Sequence, residues 1–452
     1  MQPKKIRSLQ GKSALEIRPI RSHLDQRNHS PEFYSLKGKR RHTEENPIHF
    51  HASPDQMAMN SDSEANQSPP QLIIHAGTHK TASTYIQERL QLNRDKLKSH
   101  RYIYQYPSEG NRTFKTLVSD ICRGNWQSLI DHIDQHQRPG MNLLLSAEQF
   151  AVPLTHQKSL DRLKRIAKQR GYQLKIIIFI RSQLDYINSR YTYSLRRFYH
   201  TKTFEEFLQS ILEGQLPGES NRRGKISKRN NLFDFWTYFQ PLLKAKGMQV
   251  TFIPFKQNGQ DPFDQFLTAI GLSPQLNWKQ CATRFLNQSP GIRGVWLSRT
   301  LGQLLDQAKI SHRTIEGSSK IILKEEIRRH WNDKPFWGYT KKSAKSVMKK
   351  FSAHNDLFAQ QAWNTNWREA FPQDSDLVQR KYSAYRPKSI YDELYMHAIA
   401  NHLFRMIEHR IKPKPWHVVT DNIERIITQI HPSITIAMHR QPDTKALQTI
   451  KD

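Results

Sequence analysis

Four short runs of apolar residues lie along the middle of the chain, and each has the length of a buried strand. They cover residues 72–74, 142–145, 174–180 and 249–254. Runs of this length, bounded by Gly, Pro and polar residues, favour strands over helices. The run 174–180 is apolar at nearly every position, which predicts a strand inside a sheet that is covered on both faces.

Apolar residues three and four positions apart predict helices between these strands. The first predicted helix follows residue 83, where Ile86, Leu90 and Leu97 form one apolar stripe. The other predicted helices cover residues 114–136, 158–170, 183–193 and 232–246. Gly171 and Gly247 stand where C-terminal caps belong. Strands that alternate with helices predict right-handed crossovers and a parallel sheet, whose ligands bind beyond the carboxyl ends of the strands.

Beyond Gly271 the pattern changes to helices without a convincing strand. Near the end of the chain, one apolar stripe predicts a packed helix and consists of Ala400, Leu403, Phe404, Ile407 and Ile411. We therefore predict an α/β fold with a three-layer parallel sheet and a helical C-terminal extension. The predicted domains are a disordered basic and polar tail (1–68), an α/β domain that is helical from about residue 272 (69–375), and the helical extension and tail (376–452).

The charge of the chain predicts an anionic partner. Its 452 residues carry a net charge of +30, and residues 1–70 hold 11 Lys and Arg against 8 Asp and Glu, so the excess belongs to the predicted folded body. A nucleic-acid-binding protein with a basic arm would show the opposite distribution. Cys122 and Cys281 are too few for a disulfide framework, and the histidines show no zinc-binding spacing, so we predict no metal.

The stretch 71–87, QLIIHAGTHKTASTYIQ, predicts a strand, a turn of small residues and a helix. Gly77 lets the backbone approach a ligand closely, and Lys80 supplies a cation where the helix begins. Three hydroxyl groups follow on Thr81, Ser83 and Thr84. An anion at this place would meet unpaired helix N–H groups, the positive end of the helix dipole and an ammonium group. We call residues Gly77 to Thr84 the cradle.

The cradle differs from the usual nucleotide-triphosphate loop, because Lys80 follows Gly77 by only three residues. It resembles the 5′-phosphosulfate-binding loop of sulfotransferases that use 3′-phosphoadenosine-5′-phosphosulfate (PAPS), especially bacterial-type carbohydrate sulfotransferases. Ala82 stands where this family usually has Gly. The resemblance covers about residues 70–371 and implies a P-loop-like fold. It also implies PAPS-binding residues at Gly77, Thr78, His79, Lys80, Thr81, Ala82, Ser83 and Thr84.

A second element follows the third predicted strand, where Arg181 precedes Ser189. If a helix begins within two residues of Arg181, Ser189 lies about two turns along that helix. Both side chains can then reach one phosphate. This spacing, in which seven residues separate the Arg from the Ser, resembles the 3′-phosphate-binding element of the same sulfotransferase superfamily. The resemblance therefore implies that Arg181 and Ser189 bind PAPS.

Sulfuryl transfer needs a group that stabilises the leaving phosphate and a group that accepts the proton of the acceptor. Lys80 is the candidate for the first role. Glu148, just beyond the second predicted strand, is the candidate general base if burial raises its pKa, and His75 and His79 are the alternatives. Arg190, Arg196 and Arg197, together with a basic stretch at residues 222–229, would flank an anionic or glycan acceptor.

The sequence thus predicts a PAPS-dependent sulfotransferase that acts on a hydroxyl or amine of a glycan or a similar acceptor. It has no apolar run long enough to span a membrane and begins with no signal peptide, so we expect a cytoplasmic, bacterial protein. A P-loop kinase or nucleotide hydrolase is the first alternative. A basic nucleic-acid-binding protein is the second, although we regard a nucleic-acid partner as improbable. The sequence makes no prediction about oligomeric state.

Overall fold

The computed structural model describes residues 69–107, 113–215, 232–255, 259–281, 289–312, 314–315 and 320–411. The predicted tail 1–68, the segment 412–452 and the basic stretch at 222–229 lie outside these ranges.

A five-stranded parallel sheet forms the centre of the α/β fold, in the order β2-β3-β1-β4-β5. Its strands are β1 Gln71–Gly77, β2 Tyr102–Ile103, β3 Asn142–Ser146, β4 Gln173–Arg181 and β5 Gln249–Phe255. The four predicted strands are confirmed to within a few residues. Consecutive residues of β1 and β4 are buried, so both faces of the sheet are covered, as the continuous apolar runs predict.

Helices connect the strands and continue after the sheet. They are α1 Ser83–Leu92, α2 Arg94–Ser99, α3 Lys115–Arg123, α4 Gln127–His136, α5 Ala151–Leu154, α6 Gln157–Gln169, α7 Gln183–Arg196, α8 Phe204–Leu212, α9 Phe235–Tyr238, α10 Gln240–Leu243, α11 Pro262–Ala269, α12 Ile292–Gln307, α13 Ile321–Arg328, α14 Lys341–Trp363, α15 Trp367–Ala370, α16 Asp374–Gln379 and α17 Ile390–Ile411.

Two predicted helices are wrong as single elements. The segment 114–136 forms α3 and α4, because Gly124 adopts a left-handed φ of 87° and ends α3. The segment 232–246 contains only the four-residue helices α9 and α10. Pro241 lacks a backbone N–H and lies in the first turn of α10, where a new helix tolerates it and a continuing helix does not.

Three of the helices after the sheet, α12, α13 and α17, pack around a second hydrophobic cluster, whereas α14 and α15 bury their apolar residues in the main core. Helix α17 lies against α12, and both bury apolar residues together with α13. The predicted stripe is confirmed at its centre, where Ala400, Leu403 and Ile407 are buried. Among the described residues, no helix has the length and apolar character that crossing a membrane requires.

The central position of β1 brings three loops together at one edge of the sheet. His75 of β1 pairs with Ser146 of β3, and Gly77 pairs with Phe179 of β4. The residues after these strands therefore end beside one another. As a result, Glu148 and Arg181 lie next to the cradle.

Candidate functional site

The cradle backbone holds two residues in the left-handed region. Lys80 has a φ of 72° and Ala82 a φ of 58°. Ala82 is also the N-cap of α1, and its side chain offers no hydrogen bond to the first turn. Thus the position where the family that the cradle resembles usually has Gly does require a positive φ, and the helix N-terminus has no capping side chain.

The hydroxyl groups of the cradle divide into two kinds. Thr78 Oγ1 donates to the carbonyl of Phe179 at 3.1 Å, and Thr81 Oγ1 donates to the carbonyl of Thr78 at 2.7 Å. These two groups hold the loop in shape. In the described part of the chain, the buried Ser83 Oγ has no hydrogen-bond partner. A Cβ on Gly77 would lie 3.3 Å from Thr81 Oγ1 and 3.7 Å from Ser83 Oγ, so the missing side chain leaves space beside both hydroxyls.

The Lys80 ammonium is half-buried and faces an aromatic ring. Within the described ranges it forms no hydrogen bond or ion pair with the protein, and Nζ lies 5.6 Å from the centroid of Tyr193. Burial, followed by the positive charges of Arg196 and Arg181, lowers its pKa to about 8. The surroundings therefore destabilise the cationic form of Lys80, and a bound anion would stabilise it.

Arg181 lies directly on the cradle. Its Nη1 donates to the backbone carbonyl of Lys80 at 2.8 Å, and its Nη2 lies 3.3 Å from Oδ2 of Asp185. Ser189 is buried further along α7. The two predicted anion-binding elements therefore meet at the carboxyl ends of the neighbouring strands β1 and β4.

Glu148 forms an ion pair with the cradle. Its Oε1 lies 2.8 Å from Nδ1 of His79, and both side chains are largely buried. Burial alone would raise the pKa of Glu148, but His79, Lys115 and Arg190 outweigh it and lower the pKa to about 2. The expectation that burial raises this pKa is wrong, because the carboxylate faces three cationic or protonatable groups. A carboxylate of this pKa is a weak base at neutral pH.

His75 is unsuited to the role of general base. Its side chain is completely buried, and its Nδ1 pairs with Ser146 Oγ at 2.7 Å. Burial lowers its pKa to about 4, although Glu148 acts in the opposite direction. His75 therefore joins strands β1 and β3 in the interior.

Tyr193 is the centre of the site, whereas the sequence left open whether this residue belongs to the core or forms a platform for a sugar or adenine ring. Arg190 and Arg197 place their guanidinium carbons 5.5 and 5.4 Å from its ring centroid, and His79 stacks on it at 6.4 Å. Lys80 completes the group. The one available signal was the position of Tyr193 three residues after Arg190 on α7, where both side chains share a face.

Lys115 is a residue that sequence reasoning missed. It begins α3, and its charge contributes to the low pKa of Glu148. A small pocket next to the cradle is lined by Gly77, His79 and Glu148 together with Leu232 and Tyr238. Both features depend on tertiary contacts between distant segments.

The described residues contain no cluster of three or more His, Cys, Asp or Glu side chains arranged to hold a metal ion. The absence of a metal from the reaction remains a prediction. The site therefore consists of fixed cations, backbone N–H groups, a hydroxyl and a His–Glu pair. No family model, no curated protein and no solved structure matches this chain.

Proposed function

We propose that this protein is a PAPS-dependent sulfotransferase. The observation that carries the proposal is the hydrogen bond from Arg181 to the carbonyl of Lys80. It joins the element that resembles a 3′-phosphate site to the cradle that resembles a 5′-phosphosulfate site. One adenosine nucleotide with phosphate groups at both ends has the chemistry to engage both elements.

The cradle residues fit the 5′ end of this nucleotide. The first turn of α1 has no capping side chain, the Ser83 hydroxyl is buried without a partner in the described chain, and the Lys80 ammonium makes no ion pair there. The N–H groups of that turn, the Ser83 hydroxyl and the Lys80 ammonium would each donate a hydrogen bond to a phosphate oxygen. Arg181, with Ser189 on α7, would hold the 3′-phosphate.

The reaction moves a sulfuryl group from a phosphate oxygen to an acceptor oxygen or nitrogen. The new bond forms between the acceptor atom and sulfur, the bond from sulfur to the 5′-phosphate oxygen breaks, and adenosine 3′,5′-bisphosphate leaves. Lys80 stabilises the negative charge that develops on that oxygen. Positioning and fixed charges supply most of the acceleration in this type of transfer.

We assign the proton-accepting role to His79 and a positioning role to Glu148. When the His79 ring is neutral and its Nδ1–H donates to the carboxylate of Glu148, the lone pair of the ring lies on Nε2. Nε2 then takes the proton of the acceptor hydroxyl or amine as the bond to sulfur forms. This assignment replaces Glu148 as the base, because a carboxyl with a pKa of about 2 holds a proton poorly at neutral pH.

The resemblance assigns the acceptor to the glycans or similar molecules, and the buried arginines Arg190 and Arg196 favour one that carries negative charge. The basic stretch at 222–229 was a further candidate for this contact, and it lies outside the described residues. The acceptor class remains part of the proposal.

Thermal-shift titrations test the nucleotide specificity. We expect adenosine 3′,5′-bisphosphate, at about 100 times its Kd, to raise the melting temperature by about 4 °C. ATP with magnesium should produce a much smaller shift, because the cradle lacks the usual nucleotide-triphosphate spacing. A larger shift with ATP and magnesium would replace this proposal with a P-loop kinase or nucleotide hydrolase.

Two variants and one control locate the effect. Lys80→Ala and Arg181→Ala should each reduce the bisphosphate shift strongly. Lys345→Ala removes the same charge from the exposed face of α14 and should leave the shift unchanged. If the bisphosphate stabilises the Lys80→Ala variant as well as the wild type, the nucleotide binds elsewhere and the proposed enzyme is wrong.

A further inference from the structure

A second cavity lies between helices α13 and α17. It measures about 290 Å³ and is lined by Lys320, Ile321, Lys324, Leu403, Met406 and Arg410. We call it the α13–α17 groove. Its size is at the lower end of the range for small-molecule sites, which favours one small ligand over a polymer.

The floor of the groove is apolar. Ile321 and Leu403 are buried, and Met406 remains 37% exposed. A flexible methionine adapts its shape to different ligands. The floor therefore favours a ligand with an apolar part, which a phosphate ion or a bare carbohydrate chain does not have.

The rim of the groove is positively charged. Lys320, Lys324 and Arg410 are exposed, and within the described ranges none of them forms an ion pair. Arg328 also lines the groove, but its charge is paired with Glu325, so the cations available to a ligand are Lys320, Lys324 and Arg410. These groups attract an anionic head group while the floor holds the rest of the ligand.

The one carboxylate of the groove wall does not oppose an anion. Glu325 receives hydrogen bonds from Arg328 Nη2 at 2.6 Å and from Arg328 Nε at 2.9 Å. Arg329 Nε donates to it as well. The charge of Glu325 is thus neutralised within α13, and the groove keeps its positive character.

We propose that the α13–α17 groove binds a small amphipathic anion, with an apolar chain or ring against Met406 and Leu403 and a carboxylate, sulfate or phosphate head group between Lys324 and Arg410. This site is separate from the cradle and does not depend on the function proposed for it. A nucleic acid fits it poorly, because the described residues that line the groove include no Phe, Tyr or Trp and offer only the ring of His402 for a base to stack on.

Isothermal titration of the full chain with octanoate tests this proposal. We expect saturable binding to one site below about 1 mM. Acetate has the same head group without the chain, and 1-octanol has the chain without the charge. Both should bind at least about fivefold more weakly, since each lacks one of the two complementary parts.

Variants separate the groove from the rest of the basic surface. Lys324→Gln/Arg410→Gln should weaken octanoate binding about fivefold or more. The matched control Lys345→Gln/Lys349→Gln removes two exposed charges from α14 and should leave the affinity unchanged. Met406→Gln should weaken octanoate binding while the weak binding of acetate stays the same. Lys80→Ala should have no effect.

Three outcomes would overturn the proposal. Octanoate could show no saturable binding up to about 1 mM. Acetate could bind as tightly as octanoate, which would leave the floor without a role. The groove variant and the α14 control could lose affinity equally, which would reveal a general response to surface charge. All substituted side chains are at least partly exposed, so a melting curve for each variant is expected to match the wild type.

Discussion

The cradle and the α13–α17 groove both carry cations, but these cations are held in different ways. Lys80 is half-buried on a loop with two left-handed residues, and the ends of β3 and β4 lie against that loop. The cations of the groove extend from exposed helix positions into solvent. The total charge of +30 is therefore a poor guide to any one site, because the backbone around a cation decides how specific its contact can be.

The difference also has an energetic side. A charge in a partly buried site interacts more strongly with a ligand than a charge in water, since the effective dielectric is lower. Exposed pairs typically contribute about 1 kcal/mol or less. We therefore expect large effects from single substitutions in the cradle and small effects from single substitutions in the groove.

The largest expected effect is a double dissociation between the two sites. Lys80→Ala should weaken adenosine 3′,5′-bisphosphate binding about 10- to 100-fold, because a charge-assisted contact is lost. The groove variant Lys324→Gln/Arg410→Gln should leave that affinity unchanged. Calorimetric titration of both variants with both ligands measures all four values. A loss of bisphosphate affinity in the groove variant would contradict the separation of the two sites.

The next effect concerns the stability that the cradle gains from Glu148. Its pKa is about 2 in the folded protein, below the ordinary 4.5. The carboxylate therefore contributes stability above pH 4.5, and this contribution is lost as the pH falls from 4.5 towards 2. It amounts to about 2 to 3 kcal/mol at neutral pH.

Urea unfolding of Glu148→Gln checks this contribution. The variant should be less stable than the wild type by about 2 to 3 kcal/mol at pH 7, and the difference should shrink towards pH 3. The control Glu205→Gln removes an exposed carboxylate from α8 and should change stability little. A difference for Glu148→Gln that is the same at both pH values would show that the ion pair with His79 is not its source.

A third effect is the pH dependence of nucleotide binding. The Lys80 ammonium has a pKa of about 8, so it loses its proton as the pH rises through 8 and its attraction for phosphate falls. The Kd for the bisphosphate should begin to rise near pH 8 and increase about tenfold over the next one to two pH units. Arginine stays protonated throughout this range, so Lys80→Arg should remove the dependence. An unchanged pH profile in Lys80→Arg would assign it to another group.

Much of the cradle was predictable from sequence because its parts are local. The run 72–74 predicts a strand, Gly77 and Ala82 mark the turn, and Ser83 begins a helix within a few residues. The same holds for the long apolar run of β4 and for Arg181 at its end. Parallel strands then place these loops at one edge of the sheet.

Other parts depend on contacts that no local pattern contains. Strand β2 has two residues, which is too short for an alternating pattern. The convergence of Lys80, Arg190 and Arg197 on Tyr193 follows from how α7 packs beside the cradle. The low pKa of Glu148 follows from His79 on a neighbouring loop and Lys115 on α3. Sequence alone suggested burial and a raised pKa, because it shows the residue without its partners.

The smallest expected effect distinguishes the backbone of the cradle from that of an ordinary helix. Ala82 adopts a φ of 58°, which costs an L-residue about 1 to 2 kcal/mol, whereas glycine adopts it freely. Ala82→Gly should therefore stabilise the protein by about 0.5 kcal/mol, after the greater entropy of glycine in the unfolded chain is subtracted. The matched control Ala353→Gly, at an exposed position inside α14, should destabilise it by about 1 kcal/mol. Changes of opposite sign in the free energy of unfolding, measured with urea, would show that the cradle holds Ala82 in a conformation that alanine disfavours. Equal losses of stability at both positions would mean that this turn is not strained.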